Sequence, residues 1–384
     1  QLLSRLGQPM RWWESMGKSF ARHRFGIYLW AISVLTLLIA AVIYTYVDYR
    51  GSFGSLVWLA VLLFLASDIA VRTVHGLITI SVPPRILPKL ELRHGIPEEH
   101  TTMVVIPALL SNKCRAEQLI DGLEVYYLAN QESNLLFALL GDFADATEAT
   151  KAEDQEILSA AQRRIGELNH RYAEEQPIFH FFYRMRLRND KENCHMGWER
   201  KRGKLEEFNR LLRGAKDTTY VLDELPAYLA RVQHVITLDA DTGLPRDTAR
   251  RLIGTLIHPL NRPVLDEAQR QVVRGYGLLQ PRINIVVTAA TRSLFTRVYA
   301  GDGGVDPYTT AVSDVYQDLF GEGIYTGKGI YDVDVFNSVL GQRFPDDAVL
   351  SHDLLEGSYV RAGLTTDIEL IDGYPARYDA YALR

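Results

Sequence analysis

The chain has 384 residues, 47% of them hydrophobic, with 42 Lys and Arg against 47 Asp and Glu, a formal net charge of -5 and a pI near 6.1. That length can bury a sizeable core and suggests one large domain plus something smaller, while the acidic balance argues against nucleic acid as a partner, because neutralising phosphates needs a surplus of Lys and Arg. Cys114 and Cys194 stand far apart and outside any CxxC or Cys/His spacing, so neither a disulfide framework nor a zinc site is indicated, and two reduced thiols fit a cytoplasmic domain.

The first element in chain order runs from Gly26 to Tyr46, about 20 uncharged and mostly apolar residues, enough to cross a ~30 Å hydrocarbon layer. Tyr28 and Trp30 at one end and Tyr44 and Tyr46 at the other suit the two interfaces. A second apolar run, Leu56 to Ile80, carries Asp68, Arg72 and His75 on one helical face, where they need partners. Arg5, Arg11, Lys18, Arg22 and Arg24 precede the first run, whereas the loop from Asp48 to Gly54 holds only Arg50. The positive-inside rule then puts residues 1–25 in the cytoplasm, two transmembrane helices at 26–82, and residues 83–384 back in the cytoplasm.

The proline-rich stretch from Ser81 to Pro88 ends the second helix and marks the domain boundary. Beyond it, short β-branched runs at 102–107, 135–141, 178–184 and 234–238 alternate with helical patterns at 114–130, 148–174, 204–212 and 246–257. The stripe Ile157, Ala161, Ile165 and Leu168 is typical of these helices. Such alternation predicts an α/β fold with a mostly parallel sheet flanked by helices. Ligands of such sheets sit beyond the carboxyl ends of the strands.

Three elements near those ends can carry chemistry. The strand His234 to Leu238 stops at Asp239-Ala240-Asp241, and two carboxylates at a strand end suit Mg²⁺ or Mn²⁺, which prefer oxygen ligands and leave room for phosphate oxygens. As a bare tripeptide the same residues read equally as a turn or as the cap of a helix starting near Arg246. Arg200-Lys-Arg-Gly-Lys204 precedes a helical run, so Lys204 and the helix N-terminus offer positive charge to a diphosphate; a solvated basic loop is the plainer reading. Asp353, in Ser351-His-Asp-Leu-Leu-Glu-Gly357, is the candidate general base. Ser351 with Leu354 and Leu355 also reads as an N-cap and a buried helix face.

Taken together, Pro107, Asp142, Gly203-Lys204 with Asn209, Asp239-Ala-Asp241, Gln280-Pro-Arg282, Gly327-Lys-Gly329-Ile-Tyr331-Asp332 and Ser351-His-Asp353 resemble the inverting GT-A glycosyltransferases in order and spacing. The stretches Tyr276 to Arg282, Asp306 to Gly323 and Ser351 to Gly357 resemble, more narrowly, the cyclic β-1,2-glucan synthases. The resemblance implies a Rossmann-like GT-A domain that transfers glucose from UDP-glucose to a β-1,2-glucan acceptor at the bacterial inner membrane. It also implies nucleotide-sugar contacts from Pro107, Asp142, Lys204, Asp239, Gln280, Gly327, Lys328 and Gly329, with Asp142 at the uracil and Lys204 at the diphosphate. Asp239 and Asp241 hold Mg²⁺ or Mn²⁺ in this reading, and Asp353 deprotonates the 2-hydroxyl of the acceptor, so that an α-donor gives a β-product.

Members of that family start the glucan on their own polypeptide, which implies an acceptor tyrosine; Tyr308, Tyr316 and Tyr325 are the candidates among 20 tyrosines. The chain ends before the QxxRW-like motif with which such synthases close the donor site. A C-terminal portion is therefore expected to be missing, with further transmembrane helices and a phosphorylase-like domain as partners in the same polypeptide, beside membrane lipid. The competing readings are a linear periplasmic-glucan or cellulose-type synthase, and a membrane-tethered nucleotide-sugar-binding protein with a degenerate transferase fold.

Overall fold

The computed structural model describes residues 23–47, 54–222, 224–299, 314–349 and 352–382. The chain divides into two compact units, residues 1–85 with 313–321, and residues 86–312 with 322–384.

The first unit contains helix α1 (Arg24–Val47) and helix α2 (Gly54–Ser81), both long and apolar enough to cross a membrane. Leu37, Leu38, Val42, Phe64, Leu65 and Leu77 stand exposed on them. The polar residues of α2 find partners. Arg72 Nε donates to Asp68 Oδ2 at 3.0 Å, and His75 Nε2 lies 2.8 Å from the Tyr28 hydroxyl of α1. A short helix far along the chain, Val315–Phe320, also belongs to this unit. Its cap is Asp314, whose carboxylate accepts from Gln317 N at 2.6 Å, and it is tied in by Arg24 Nη1 donating to Leu319 O (2.7 Å) and by Arg85 N donating to Asp318 Oδ1 (2.6 Å). Phe320 meets Phe25 and Tyr28 edge-to-face. Tyr316, read as a candidate acceptor, packs edge-to-face on His75 here. Tyr308 lies outside the described residues.

The second unit is a three-layer α/β domain. In chain order its sheet strands and main helices are β1 (Thr102–Leu110), α3 (Lys113–Ala129), β2 (Leu135–Phe143), α4 (Ala152–Tyr172), β3 (Phe179–Arg184), α5 (Arg200–Leu212), β4 (His234–Thr237), β5 (Thr242–Gly243) and α6 (Thr248–Leu256), then β6 (Leu278–Ile285), β7 (Gly329–Asp332), α7 (Val333–Leu340), α8 (Asp353–Val360) and β8 (Ala362–Asp372). The eight strands form one sheet in the order β3-β2-β1-β4-β7-β6-β8-β5. β1, β2, β3 and β4 pair in parallel, as do β6 and β8. β7 runs antiparallel to both β4 and β6, and β5 antiparallel to β8. The first four strands, and the helices expected at 114–130, 148–174 and 246–257, lie where the sequence places them. The alternation there is strong because both sheet faces are covered, and every residue of β2 is buried.

One core lies on each face. Leu119, Ile120 and Leu123 of α3, the predicted stripe of α4, and Leu252 and Ile253 of α6 cover one side. Leu205, Phe208 and Leu212 of α5 with Phe336 and Val339 of α7 cover the other. Each Leu, Ile, Val or Phe among them contributes about 1.5–3 kcal/mol of transfer free energy.

Candidate active site

The candidate residues gather where the parallel strands end, and they form two layers. The lower layer is a buried charge network. Arg184, at the end of β3 with its side chain fully buried, donates from Nε and Nη2 to the two carboxylate oxygens of Asp142 on β2, each at 2.8 Å, and from Nη1 to Glu207 Oε2 on α5 at 2.8 Å. Lys204 Nζ joins it, 3.1 Å from Asp142 Oδ2 and donating to Ala108 O of β1 at 2.8 Å. Burial works against the Asp142 charge, but Lys204 and Arg184 outweigh it and hold the carboxyl below its usual range. Burial brings the Lys204 ammonium down to about 8 despite Asp142. Asp142 and Lys204 thus meet as partners in an interior network.

The expected helix start at Lys204 is corrected by the structure: α5 already begins at Arg200. Arg202, three residues after Glu199 and four before Glu206, pairs with both, at 2.8 and 3.5 Å. A Cβ on Gly203 would lie 2.3 Å from Trp198 O, so this glycine allows helix and preceding turn to close together. The longer helix carries Lys201 one turn above Lys204, and of these two lysines it is Lys201 that reaches Asp239.

The upper layer is built around that contact. Lys201 Nζ donates to Asp239 Oδ1 at 2.6 Å and to Gly327 O at 2.9 Å. Lys328 Nζ lies 3.2 Å from Asp239 Oδ2 and also pairs with Asp372 at the end of β8. Asp372 accepts from Thr242 Oγ1 at 2.6 Å, tying β5 to the site. Burial pushes the Asp239 carboxyl up, but Lys201 and Lys328 overcome this and keep it below its ordinary value. Asp241 is exposed two residues on. The cap of α6 is Asp247 rather than Asp241, which removes the helix-cap reading of the Asp239-Ala-Asp241 run.

Gln280, fully buried on β6, holds the loop before β7: its Oε1 accepts from Thr326 N (3.0 Å) and Oγ1 (3.1 Å). That loop needs its glycines. Gly329 has φ +149° and a Cβ there would meet Leu279 O at 2.0 Å, and Gly327 has φ +84° with its Cβ position 2.8 Å from Asp353 Oδ1. Asp353, the first residue of α8, therefore lies against the Gly327 backbone, and Gly327 O is held by the lysine that holds Asp239. Asp353 is mostly buried, and burial is the main reason its carboxyl is raised above the ordinary range. Its Oδ1 has no hydrogen-bond partner among the described residues. A carboxyl with a raised pKa and an oxygen that accepts no hydrogen bond suits proton abstraction.

A cleft of about 400 Å³ opens beside Lys201, Arg200 and His352. Pro107 sits on β1 past Val105, the last β1 residue paired with β4, where a missing N–H costs no ladder bond on that side. Tyr325 is 3% exposed and packed in the core beneath α8, so its hydroxyl is shielded in this arrangement. Two oxygen-donor carboxylates fit Mg²⁺ or Mn²⁺ in kind. Asp239 already offers one oxygen to each of two lysines, and Asp241 is the exposed one of the pair. Sequence reasoning missed Lys201, Asp372 and Glu356; only the true start of α5 signalled Lys201, and a β8 strand was not anticipated.

No family model matches the chain. Over 350 residues, 90% of this chain, it is 44% identical to the cyclic β-(1,2)-glucan synthase NdvB of Rhizobium meliloti (strain 1021), of which it spans 12%. Solved structures with some likeness include mannosyl-3-phosphoglycerate synthase from Rubrobacter xylanophilus (TM-score 0.31, 10% identity, 74% of this chain and 70% of that one). The mannosyltransferase Ktr4p of S. cerevisiae (0.31, 11%, 75% and 76%) and the galactosyltransferase LgtC (0.26, 12%, 71% and 87%) are further ones. Scores this low carry no argument beside the sequence match. The chain is a homologue of one segment of a cyclic β-(1,2)-glucan synthase.

Proposed function

We propose that this segment is the inverting glucosyltransferase of such a synthase, moving glucose from UDP-glucose onto a growing, protein-linked β-1,2-glucan at the cytoplasmic face of the bacterial inner membrane. The observation that carries the reading is the continuity of the site: Asp353 against Gly327, Gly327 O on Lys201, and Lys201 on Asp239. A base for the acceptor and positive charge for a departing diphosphate thus adjoin.

In this mechanism the acceptor hydroxyl loses its proton to Asp353 as its oxygen bonds to the anomeric carbon. The bond from that carbon to the diphosphate oxygen breaks, its electron pair leaving with UDP, and one displacement inverts the anomeric centre. Lys201 and Lys328 are the cations that face the diphosphate. A Mg²⁺ or Mn²⁺ ion held at Asp241, with Asp239, would neutralise the leaving group. The network of Asp142, Arg184, Glu207 and Lys204 fixes the strand ends beneath.

UDP release from UDP-glucose with Mg²⁺, followed by linkage analysis of the product, tests this. Wild-type protein should release UDP and form β-1,2 bonds, and both Asp353→Asn and Asp241→Ala should abolish turnover. Linkages at another hydroxyl would support a linear-glucan synthase, and no UDP release a binding protein.

A further inference from the structure

His352 and Glu356 have no part in the mechanism above, yet they sit against its base. Glu356 is 4% exposed, and a carboxylate so deep requires a partner. Its partner is His352, four residues earlier, with Nδ1 2.9 Å from Glu356 Oε1. The same Nδ1 lies 3.5 Å from Asp353 Oδ1. One imidazole nitrogen therefore stands between two carboxylates, the nearer of them buried and the farther one beside Gly327. The backbone locks the arrangement, because Glu356 N donates to His352 O at 2.9 Å across the first turn of α8.

We infer that Glu356 is a positioning residue that anchors His352, so that the imidazolium faces Asp353 and keeps the base ionised in its buried setting. The inference rests on the reading of Asp353 as the base. The electrostatics agree: burial lowers the His352 pKa, but Glu356 and then Asp353 outweigh it, and the ring stays protonated above its ordinary value. From its own helix His352 faces Glu356 and Asp353, and from α5 it faces Lys201, whose charge opposes protonation. Around the adjoining cleft stand Glu199, Arg200 and Arg202 at the start of α5, Lys191 and Glu192 of the antiparallel hairpin Leu187–Asn189/Cys194–Met196, and Asp347 of the loop before α8. Of all these carboxylates, Glu356 is the nearest to Nδ1 and the buried one; its own charge raises the Asp353 pKa, but the His352 that it holds lowers it by more.

The experiment measures UDP release by the full-length membrane-embedded protein as a function of pH, for wild type, Glu356→Gln, Glu356→Asp, His352→Asn and Asp353→Asn. Glu356→Gln keeps the shape and removes the charge. Its kcat should fall roughly 10- to 100-fold, a part of the ~10²–10⁴ that a positioned base contributes, with the KM for UDP-glucose unchanged. Without the Glu356 charge His352 loses its proton at lower pH and no longer favours the Asp353 carboxylate, so the acid limb of the kcat profile should move to higher pH. Glu356→Asp should restore part of both, and His352→Asn should move the acid limb the same way. If Asp353→Asn is inactive while Glu356→Gln keeps the wild-type rate and profile, the positioning role is overturned and the base stands. A lower rate with an unmoved acid limb also overturns it, since that marks a merely structural residue. An active Asp353→Asn removes the base itself. Should Glu356→Gln fail to fold, His352→Asn decides alone, and an unmoved acid limb there refutes the proposal.

Discussion

Asp142 offers the sharpest test of whether the strand-end charges are structural or ligand-binding. The substitution is Asp142→Ala. It would leave Arg184, whose side chain is fully buried, with Glu207 as its remaining carboxylate, and Lys204 with the Ala108 carbonyl alone. Removing one partner from a buried ion pair costs about 3–5 kcal/mol, because the surviving charge is left without compensation in a poor solvent. For a domain of this size each kcal/mol lowers Tm by about 2–4 °C, so a fall of roughly 10 °C is expected. Thermal unfolding in detergent, followed by fluorescence or circular dichroism, measures it. Because Lys204 is one of the stranded cations, Asp142→Ala/Lys204→Met should unfold at a higher temperature than Asp142→Ala alone. A Tm within about 2 °C of wild type, together with a raised KM for UDP-glucose, would refute the structural account and support the nucleotide contact that the family resemblance implies for Asp142.

Other sites give independent checks. Lys201→Met should raise the KM for UDP-glucose and lower kcat, by about tenfold or more in kcat/KM, because Asp239 loses one cation and Gly327 O its donor; steady-state UDP release reads both. Gly327→Ala should cut turnover while donor binding survives, since φ +84° and a Cβ 2.8 Å from Asp353 Oδ1 force the base aside; the strain alone is worth about 1–3 kcal/mol. His234 is buried beside His100 and its pKa is depressed to about 3, chiefly by burial. An unfolded histidine takes up its proton near pH 6.5, so this group stabilises the fold fully above that pH and progressively less as pH falls toward 3. His234→Gln should accordingly flatten the stability curve between about pH 6.5 and 4 in urea unfolding followed by fluorescence.

The sequence by itself determined the elements whose pattern is local. The two apolar helices follow from their length and composition, and β1 to β4 with α3, α4 and α6 follow from alternating runs and stripes, because burial on both sheet faces leaves a period that can be read along the chain. The acids at strand ends were legible for the same reason: a charge that interrupts an apolar strand has nowhere to go but its mouth. The outer half of the sheet was not legible. β7 is four residues long, enters antiparallel between β4 and β6, and starts at Gly329, which comes close to Leu279, while Gly327 of the loop before it comes close to Asp353; β6 contains Pro281, a residue that argues against a strand. The docking of Val315–Phe320 with α1 and α2 is a contact across more than 200 residues of sequence, which no local pattern encodes. Which lysine serves the site was likewise a tertiary matter. Lys201 and Lys204 are three residues apart in one basic run, and only the packing of α5 against β1 and β2 sends Lys204 into the interior with Asp142 and leaves Lys201 one turn higher, in reach of Asp239 and Gly327.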